Sequence, residues 1–281
     1  MLKVEHVKKT YNDFSLDVSM EVKTGYITGL IGANGAGKST TFKAILNLLK
    51  TEEGRIYVFG KENTQLTTQD KELIGVVLAD SGFSGYLSIK ELLPVLNQLY
   101  VAFNKEAFVE LCKKFQLPLD KKIKEFSTGM KRKLQIIAAL SHDAKLLILD
   151  EPTAGLDVTA REDVLDMLRA YMEQDERAIL ISSHISSDLE SICDDFYVID
   201  NGKIVLHEET DSLLDNYAIL KVTEEQYEIM DKTYILKKKK EGFGFSCLTN
   251  EKQFYYENYP DIVIEKGTID ELLLIMIRGE E

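Results

Sequence analysis

Two groups of residues have the types and spacing to do chemistry. The first is Gly32-Ala33-Asn34-Gly35-Ala36-Gly37-Lys38-Ser39, which fits G-x-x-x-x-G-K-[ST] in full and is followed by Thr40. Glycines let backbone N–H groups turn inward around phosphate oxygens, and the start of a following helix adds positive potential. Gly32, Asn34, Gly35, Ala36, Gly37, Lys38, Ser39 and Thr40 are therefore candidates for holding phosphates. Lys38 is expected to reach the β- and γ-phosphates of a nucleoside triphosphate, and the Ser39 hydroxyl to ligate Mg2+. The second group is Asp150-Glu151, directly after the apolar run Leu146-Leu147-Ile148-Leu149. Two acids at the C-terminal end of a buried parallel strand stand at the ligand edge of the sheet. Asp150 is expected to hold Mg2+ through water, and Glu151 to orient and polarise the attacking water as general base.

The elements around these residues can be read from periodicity. Tyr26–Ile31 is a nearly continuous apolar run, as in a buried strand, and Thr41–Leu49 has helical spacing, so the glycine-rich loop joins a strand to a helix. Leu2–Val7 and Phe14–Met20 alternate apolar and polar, as half-buried strands do. Ile56–Phe59 and Leu73–Leu78 read as further strands. From Ser88 to about Lys122 the period becomes helical, which marks a helical insert. Lys131–Leu140 and Val164–Tyr171 are expected helices, Ala178–Ser182 a strand and residues 185–193 a helix. Asn201-Gly202 is a turn pair between two strands. After residue 218 the character changes to tyrosines, a Lys237–Lys240 run and no phosphate motif. A strand at Ile219–Val222, a hairpin around Gly242 and a last helix at Ile269–Ile277 are expected there. The Lys237–Lys240 run is read as a solvated hairpin, with partner contact or regulation as the alternative.

Composition sets the outer limits. The chain has 281 residues, 44% hydrophobic and 29% charged, enough for a sizeable core. Its net charge of −13 disfavours nucleic acid and bare anionic lipid as partners. Phosphate can still be held locally, by backbone dipoles and one lysine. The cysteines Cys112, Cys193 and Cys247 form no C-x-x-C pair and are expected to be core thiols in a reducing compartment. No apolar run approaches the roughly 20 residues of a spanning helix, and the first residues hold no apolar signal-peptide core. A cytoplasmic location is expected, with no direct lipid insertion.

With these residues in view, the chain closely resembles the nucleotide-binding subunits of ABC transporters over residues 1 to about 215. Phe126-Ser127-Thr128-Gly129-Met130 looks like the family signature usually written LSGGQ. Thr153-Ala154-Gly155-Leu156-Asp157 resembles the dimer-contact loop, and Ser183-His184 the segment with the switch histidine. Tyr11 resembles the aromatic that stacks on adenine. The resemblance implies an α/β fold: a P-loop NTPase core with an antiparallel β subdomain and a helical insert (about 85–140). A small C-terminal α+β appendage completes it, with domains at 1–218 and 219–281. It implies ATP and Mg2+ as cofactors, with Lys38, Glu151 and His184 catalytic. Ser127 and Gly129 are then expected to face the γ-phosphate of ATP held by a second nucleotide-binding subunit, with Asp157 at that contact. A polytopic membrane permease is the further partner, and it places the protein peripherally on the inner face of the membrane.

Two departures from the family pattern stand out. After Ile74–Leu78 the family usually carries a glutamine that touches Mg2+ and water, whereas this chain reads Ala79-Asp80-Ser81. Asp80 substitutes as a metal ligand, or the contact is lost. In the signature, Thr128 and Met130 replace Gly and Gln. This variant resembles exporters of drugs or peptides in Gram-positive bacteria and implies export of a peptide, antibiotic or other small molecule. A soluble ATPase with a regulatory, non-transport role is the alternative.

Overall fold

Three strands are buried along their whole length, and they lie side by side in the parallel part of the main sheet. They are β3 (Ile27–Ile31), β7 (Leu146–Leu149) and β8 (Ala178–Ser183). Each fully buried aliphatic side chain contributes roughly 1.5–3 kcal/mol of transfer free energy, so such runs cannot stay at a sheet edge. The structure, a computed structural model, describes residues 1–184 and 186–280. The other strands of this sheet are β1 (Leu2–Thr10), β2 (Ser15–Val22), β4 (Glu53–Val58), β5 (Lys61–Glu62), β6 (Ile74–Val77), β9 (Asp195–Asp200) and β10 (Lys203–Glu209). Their order is β5-β4-β1-β2-β10-β9-β3-β8-β7-β6. The pairs β3–β8, β8–β7 and β7–β6 are parallel, whereas β1 pairs antiparallel with β2 and β4. This is the α/β core with an antiparallel β flank that the sequence implies.

Parallel pairing brings the C-terminal ends of β3, β8, β7 and β6 to one edge. Helices α1 (Lys38–Ile45), α2 (Thr68–Glu72), α3 (Ile89–Leu99), α4 (Lys105–Lys114), α5 (Thr128–Leu140) and α6 (Val158–Met172) connect these strands. Side-chain caps set several starts. Ser88 and Glu91 form a capping box at α3, Ser127 accepts from Met130 N–H at α5, and Asp157 accepts from Ala160 N–H at α6. The Asp157 cap explains why α6 begins six residues before the apolar stretch Val164–Tyr171. Of the helix expected over 185–193, residue 185 lies outside the described residues, and α7 covers Ser186–Glu190.

The chain divides into two compact units: Met1–His184 with Tyr197–Leu206, and the described residues of Ile185–Phe196 with His207–Glu281. The second unit thus reaches further back along the chain than residue 219. It contains α7, α8 (Thr210–Asn216), β11 (Ala218–Val222), α9 (Glu224–Ile229), β12 (Ile235–Glu241), β13 (Gly244–Thr249), α10 (Lys252–Asn258), β14 (Val263–Glu265) and α11 (Ile269–Arg278). From β11 to β14 the succession is β-α-β-β-α-β, and the sheet order is β12-β13-β11-β14 with every pair antiparallel. That is the split βαβ arrangement. Leu220, Val222, Met230, Cys247, Tyr255 and Ile262 form its core, and α11 packs against β12, β13 and α7. The buried Tyr255 donates its hydroxyl to Asp231 O at 2.8 Å, so no polar atom is stranded there. All three cysteines are buried and free. Burial pushes the Cys112 thiol up to about 12 and that of Cys247 to about 11, which leaves both inert at neutral pH.

Within the first unit, the Asn201-Gly202 turn is held to the glycine-rich loop and to β2. Gly202 has φ 78°, and a Cβ there would lie 2.0 Å from Ser15 O. Its N–H donates to Ala36 O at 2.8 Å, while its carbonyl accepts from Asp17 N–H at 2.7 Å. Gly202→Ala is expected to lower stability by roughly 2–4 kcal/mol through left-handed strain and backbone overlap. Urea unfolding with an unchanged m-value checks this.

Candidate active site

A cleft of about 300 Å³ opens at the C-terminal edge of the parallel strands. Its lining includes Asn34, Gly35, Gly37, Lys38, Ser39 and Thr40 from the glycine-rich loop, Glu151 from the end of β7, and Ala79 and Phe14. A larger cleft of about 480 Å³, among Leu111, Phe115, Met167 and Tyr171, contains none of the predicted site residues, so size does not locate the chemistry. The loop closes onto α1 through Gly37, whose φ of 119° favours glycine. A Cβ there would press on Leu16, Ile199 and the Phe14 ring at 3.0–3.1 Å.

Lys38 is 5% exposed and bends back over its own loop. Its Nζ donates to Gly32 O at 2.6 Å and Ala33 O at 3.3 Å, and lies 3.2 Å from Glu151 Oε1. That last contact is an ion pair without an aligned hydrogen bond, since Oε1 is buried and accepts none. The other carboxylate oxygen, Oε2, meets His184 Nδ1 at 2.6 Å and accepts from the His184 backbone N–H at 3.3 Å. Glu151 itself has φ 51°, an uncommon conformation for a side chain of its size. Its N–H donates to Ser182 Oγ at 3.0 Å, and the Ser182 hydroxyl donates to Asp150 Oδ1 at 2.6 Å. Lys38, Glu151, His184, Ser182 and Asp150 thus form one connected polar cluster over three strand ends.

Not every predicted residue joins it. Gly32 contributes its carbonyl, and Ala36 is buried with its carbonyl bonded to Gly202. Tyr11 is half exposed, its ring 6.2 Å from that of Phe14, and Phe14 is the aromatic on the cleft wall. Ser127, Gly129 and Asp157 lie outside the cleft lining. They gather with one another instead: a Cβ on Gly129 would be 3.3 Å from Ala160 and 3.8 Å from Leu156. Asp80 is corrected. Its side chain is 89% exposed and points to Lys43 Nζ at 3.7 Å, while the preceding residue, Ala79, faces the cleft. Both residues lie in the turn after β6, closed by the Ser81 N–H to Leu78 O bond at 3.1 Å, and the path of that turn decides which of the two faces the cleft.

Sequence reasoning missed Phe14, Ala79 and Ser182, and also a clasp between α5 and the segment after β6. Arg132 donates to Leu78 O at 3.4 Å and to Gln135 Oε1 at 3.2 Å, and Gln135 donates to Ser81 O. Burial lowers the pKa of the Arg132 guanidinium, while the carboxylates of Asp150 and Glu151 pull it back up.

Comparison with known proteins places this geometry. The profile of the family described as ABC transporter matches residues 16–154. The ABC transporter ATP-binding protein NatA of Bacillus subtilis is 31% identical over 206 residues, which cover 71% of this chain and 83% of NatA. The chain belongs to the ABC transporter family. The ABC ATPase is also 34% identical over 215 residues to the lantibiotic transport ATP-binding protein SrtF of Streptococcus pyogenes, covering 75% of this chain and 92% of SrtF. Among solved structures, the ATP-binding subunit of an ABC transporter superposes with a TM-score of 0.69 at 28% identity, over 76% of this chain and 91% of that one. The ABC ATPase binds ATP and hydrolyses it.

Because Asp80 lies outside the cleft, Asp80→Ala is expected to leave basal ATP hydrolysis and its Mg2+ dependence within about twofold of the parent. A tenfold loss in steady-state turnover would return Asp80 to the site.

Proposed function

We propose that this ATPase powers export of a peptide antibiotic or a similar small molecule through a separate membrane permease, working as a pair of ATP-binding subunits. The observation that carries the reading is the Lys38–Glu151–His184 cluster at the sheet edge. Those three groups engage one another directly, beside the phosphate loop. A γ-phosphate offers Lys38 and His184 a stronger anionic partner. Its arrival draws them away from Glu151 and leaves the carboxylate to polarise an attacking water. Binding and arming of the base are then one event.

The separation of Ser127 and Gly129 from the cleft supports pairing of two chains. One chain surrounds the loop side of ATP. A helix N-terminus at the γ-phosphate, with the Ser127 hydroxyl and Gly129 N–H, is then supplied by the partner chain, and Asp157 lies beside it. ATP favours the closed pair because its contacts exist in that state only, and hydrolysis releases it. Adenine stacking falls to the Tyr11–Phe14 aromatic pair.

The donor set suits Mg2+: the Ser39 hydroxyl and the Asp150 carboxylate are hard oxygens, few enough to leave most positions to phosphates and water. When bound, the ion neutralises charge on the β- and γ-phosphates. Among the described residues, no helix is long and apolar enough to cross a membrane, so the path for substrate is assigned to the permease. The protein then works on the cytoplasmic face, held there by that partner. Export of an antibiotic or peptide is supported by the likeness to a lantibiotic transport ATPase, and by the S-x-G-M signature. Residues 1–218 are proposed as the ATPase domain and 219–281 as an accessory domain.

Glu151→Gln is expected to keep ATP binding while lowering turnover by about a hundredfold or more, the scale of losing a general base. Lys38→Ala is expected to weaken nucleotide binding by about ten- to a hundredfold, the scale of a charged hydrogen bond to phosphate. Calorimetric titration and steady-state hydrolysis separate the two. Near-normal hydrolysis by Glu151→Gln overturns the general-base assignment.

A further inference from the structure

Ser182 is fully buried and touches both acids of the site. The pairing of β7 with β8 puts it there: Ile148 lies opposite Leu180 and Leu149 opposite Ile181, so Asp150 emerges next to Ser182. The direction of each bond is forced. A carboxylate only accepts and a backbone N–H only donates, so the single hydroxyl proton goes to Asp150 Oδ1 and a lone pair takes the Glu151 N–H. Both ends of the hydroxyl are used. Alanine, which lacks only the hydroxyl, would leave both partners unpaired in a closed space.

We infer that Ser182 is a positioning residue for ATP hydrolysis, acting through Asp150 and Glu151 together. On Asp150 it occupies one carboxylate oxygen, so the acid is presented to the metal side through the other. On Glu151 it anchors the backbone in the left-handed conformation, φ 51°, that carries the carboxylate between Lys38 and His184. For a side chain of this size that conformation carries an energetic cost, which the Ser182 contact helps to offset. The hydroxyl therefore links metal ligand and base: the two acids keep a fixed relation when phosphate draws Lys38 and His184 away. Ser182 itself moves no proton to substrate; its effect falls on kcat and on the Mg2+-dependent part of nucleotide affinity, not on nucleotide affinity without metal. This assignment rests on the ATPase mechanism proposed above.

The test uses the full chain with Ser182→Ala, Ser182→Thr and Glu151→Gln side by side. For Ser182→Ala, kcat is expected to fall about ten- to a hundredfold, the scale of leaving a buried donor and acceptor unpaired. Ser182→Thr keeps the hydroxyl and is expected to restore kcat to within about threefold of the parent. A binding readout accompanies turnover: ADP is titrated calorimetrically with Mg2+ and with EDTA. Ser182→Ala is expected to lose at least about threefold of the affinity gained on adding Mg2+, with the EDTA value unchanged. Turnover of Ser182→Ala within twofold of the parent overturns the assignment, while an inactive Glu151→Gln leaves the base assignment standing. An equal fall for Ala and Thr, with ADP affinity in EDTA falling too, also overturns it, because that pattern marks a packing defect. An active Glu151→Gln overturns the mechanism beneath it instead.

Discussion

The contact between Lys38 and Glu151 joins the two halves of the site. One partner comes from the loop after β3, the other from the end of β7, and β8 lies between those strands. Such a pair is worth forming only because both groups are largely withdrawn from water, where an exposed pair would contribute little. Removing one partner would leave the other buried and uncompensated, a costly state. In the proposed mechanism, a more highly charged anion takes the place of Glu151 at Lys38. His184 and Ser182 hold Glu151, and the left-handed Gly37 turns the loop into α1 so that Lys38 can fold back over it.

The net charge of −13 takes on a different meaning once it is divided. Nearly all of it belongs to the second compact unit, which has more than two acids for every base, while the unit holding the phosphate loop is close to neutral. An ATP-binding surface therefore does not have to overcome a strongly negative field from its own unit. The four lysines of β12 stand out against an acidic background. Several are engaged locally: Lys239 with Glu241, Lys240 with Glu224, and Lys238 over the rings of Tyr227 and Phe245. They read as part of the packing of the split βαβ sheet, their stems laid on aromatic surface and their charges in water.

Local chemistry was legible in the sequence because it depends on neighbours along the chain. The glycine-rich loop, the apolar runs of β3, β7 and β8, and the Asn201-Gly202 turn could each be read from a few consecutive residues. So could caps that periodicity alone overlooks: Ser88 with Glu91, Thr223 with Gln226 and Thr268 with Glu271 mark the true starts of α3, α9 and α11. Placement across strands could not be read in this way. Whether Ala79 or Asp80 faces the cleft depends on the path of the turn after β6. Whether Tyr11 or Phe14 lines it turns on how the β1–β2 connection folds over the loop.

The sequence alone determined that this chain carries a phosphate loop, two acids at a strand end and an α/β core, because those follow from short-range patterns of glycine, charge and hydrophobicity. Tertiary structure alone decided that Ser182 would meet Asp150 and Glu151 from more than 30 residues away. It also decided that Glu151 would be gripped between Lys38 and His184, that Asp80 would turn out to Lys43, and that the last strands would pair in the order β12-β13-β11-β14. The reason is the same in each case. Parallel pairing fixes which strand ends become neighbours, and no pattern within a single strand encodes its neighbour.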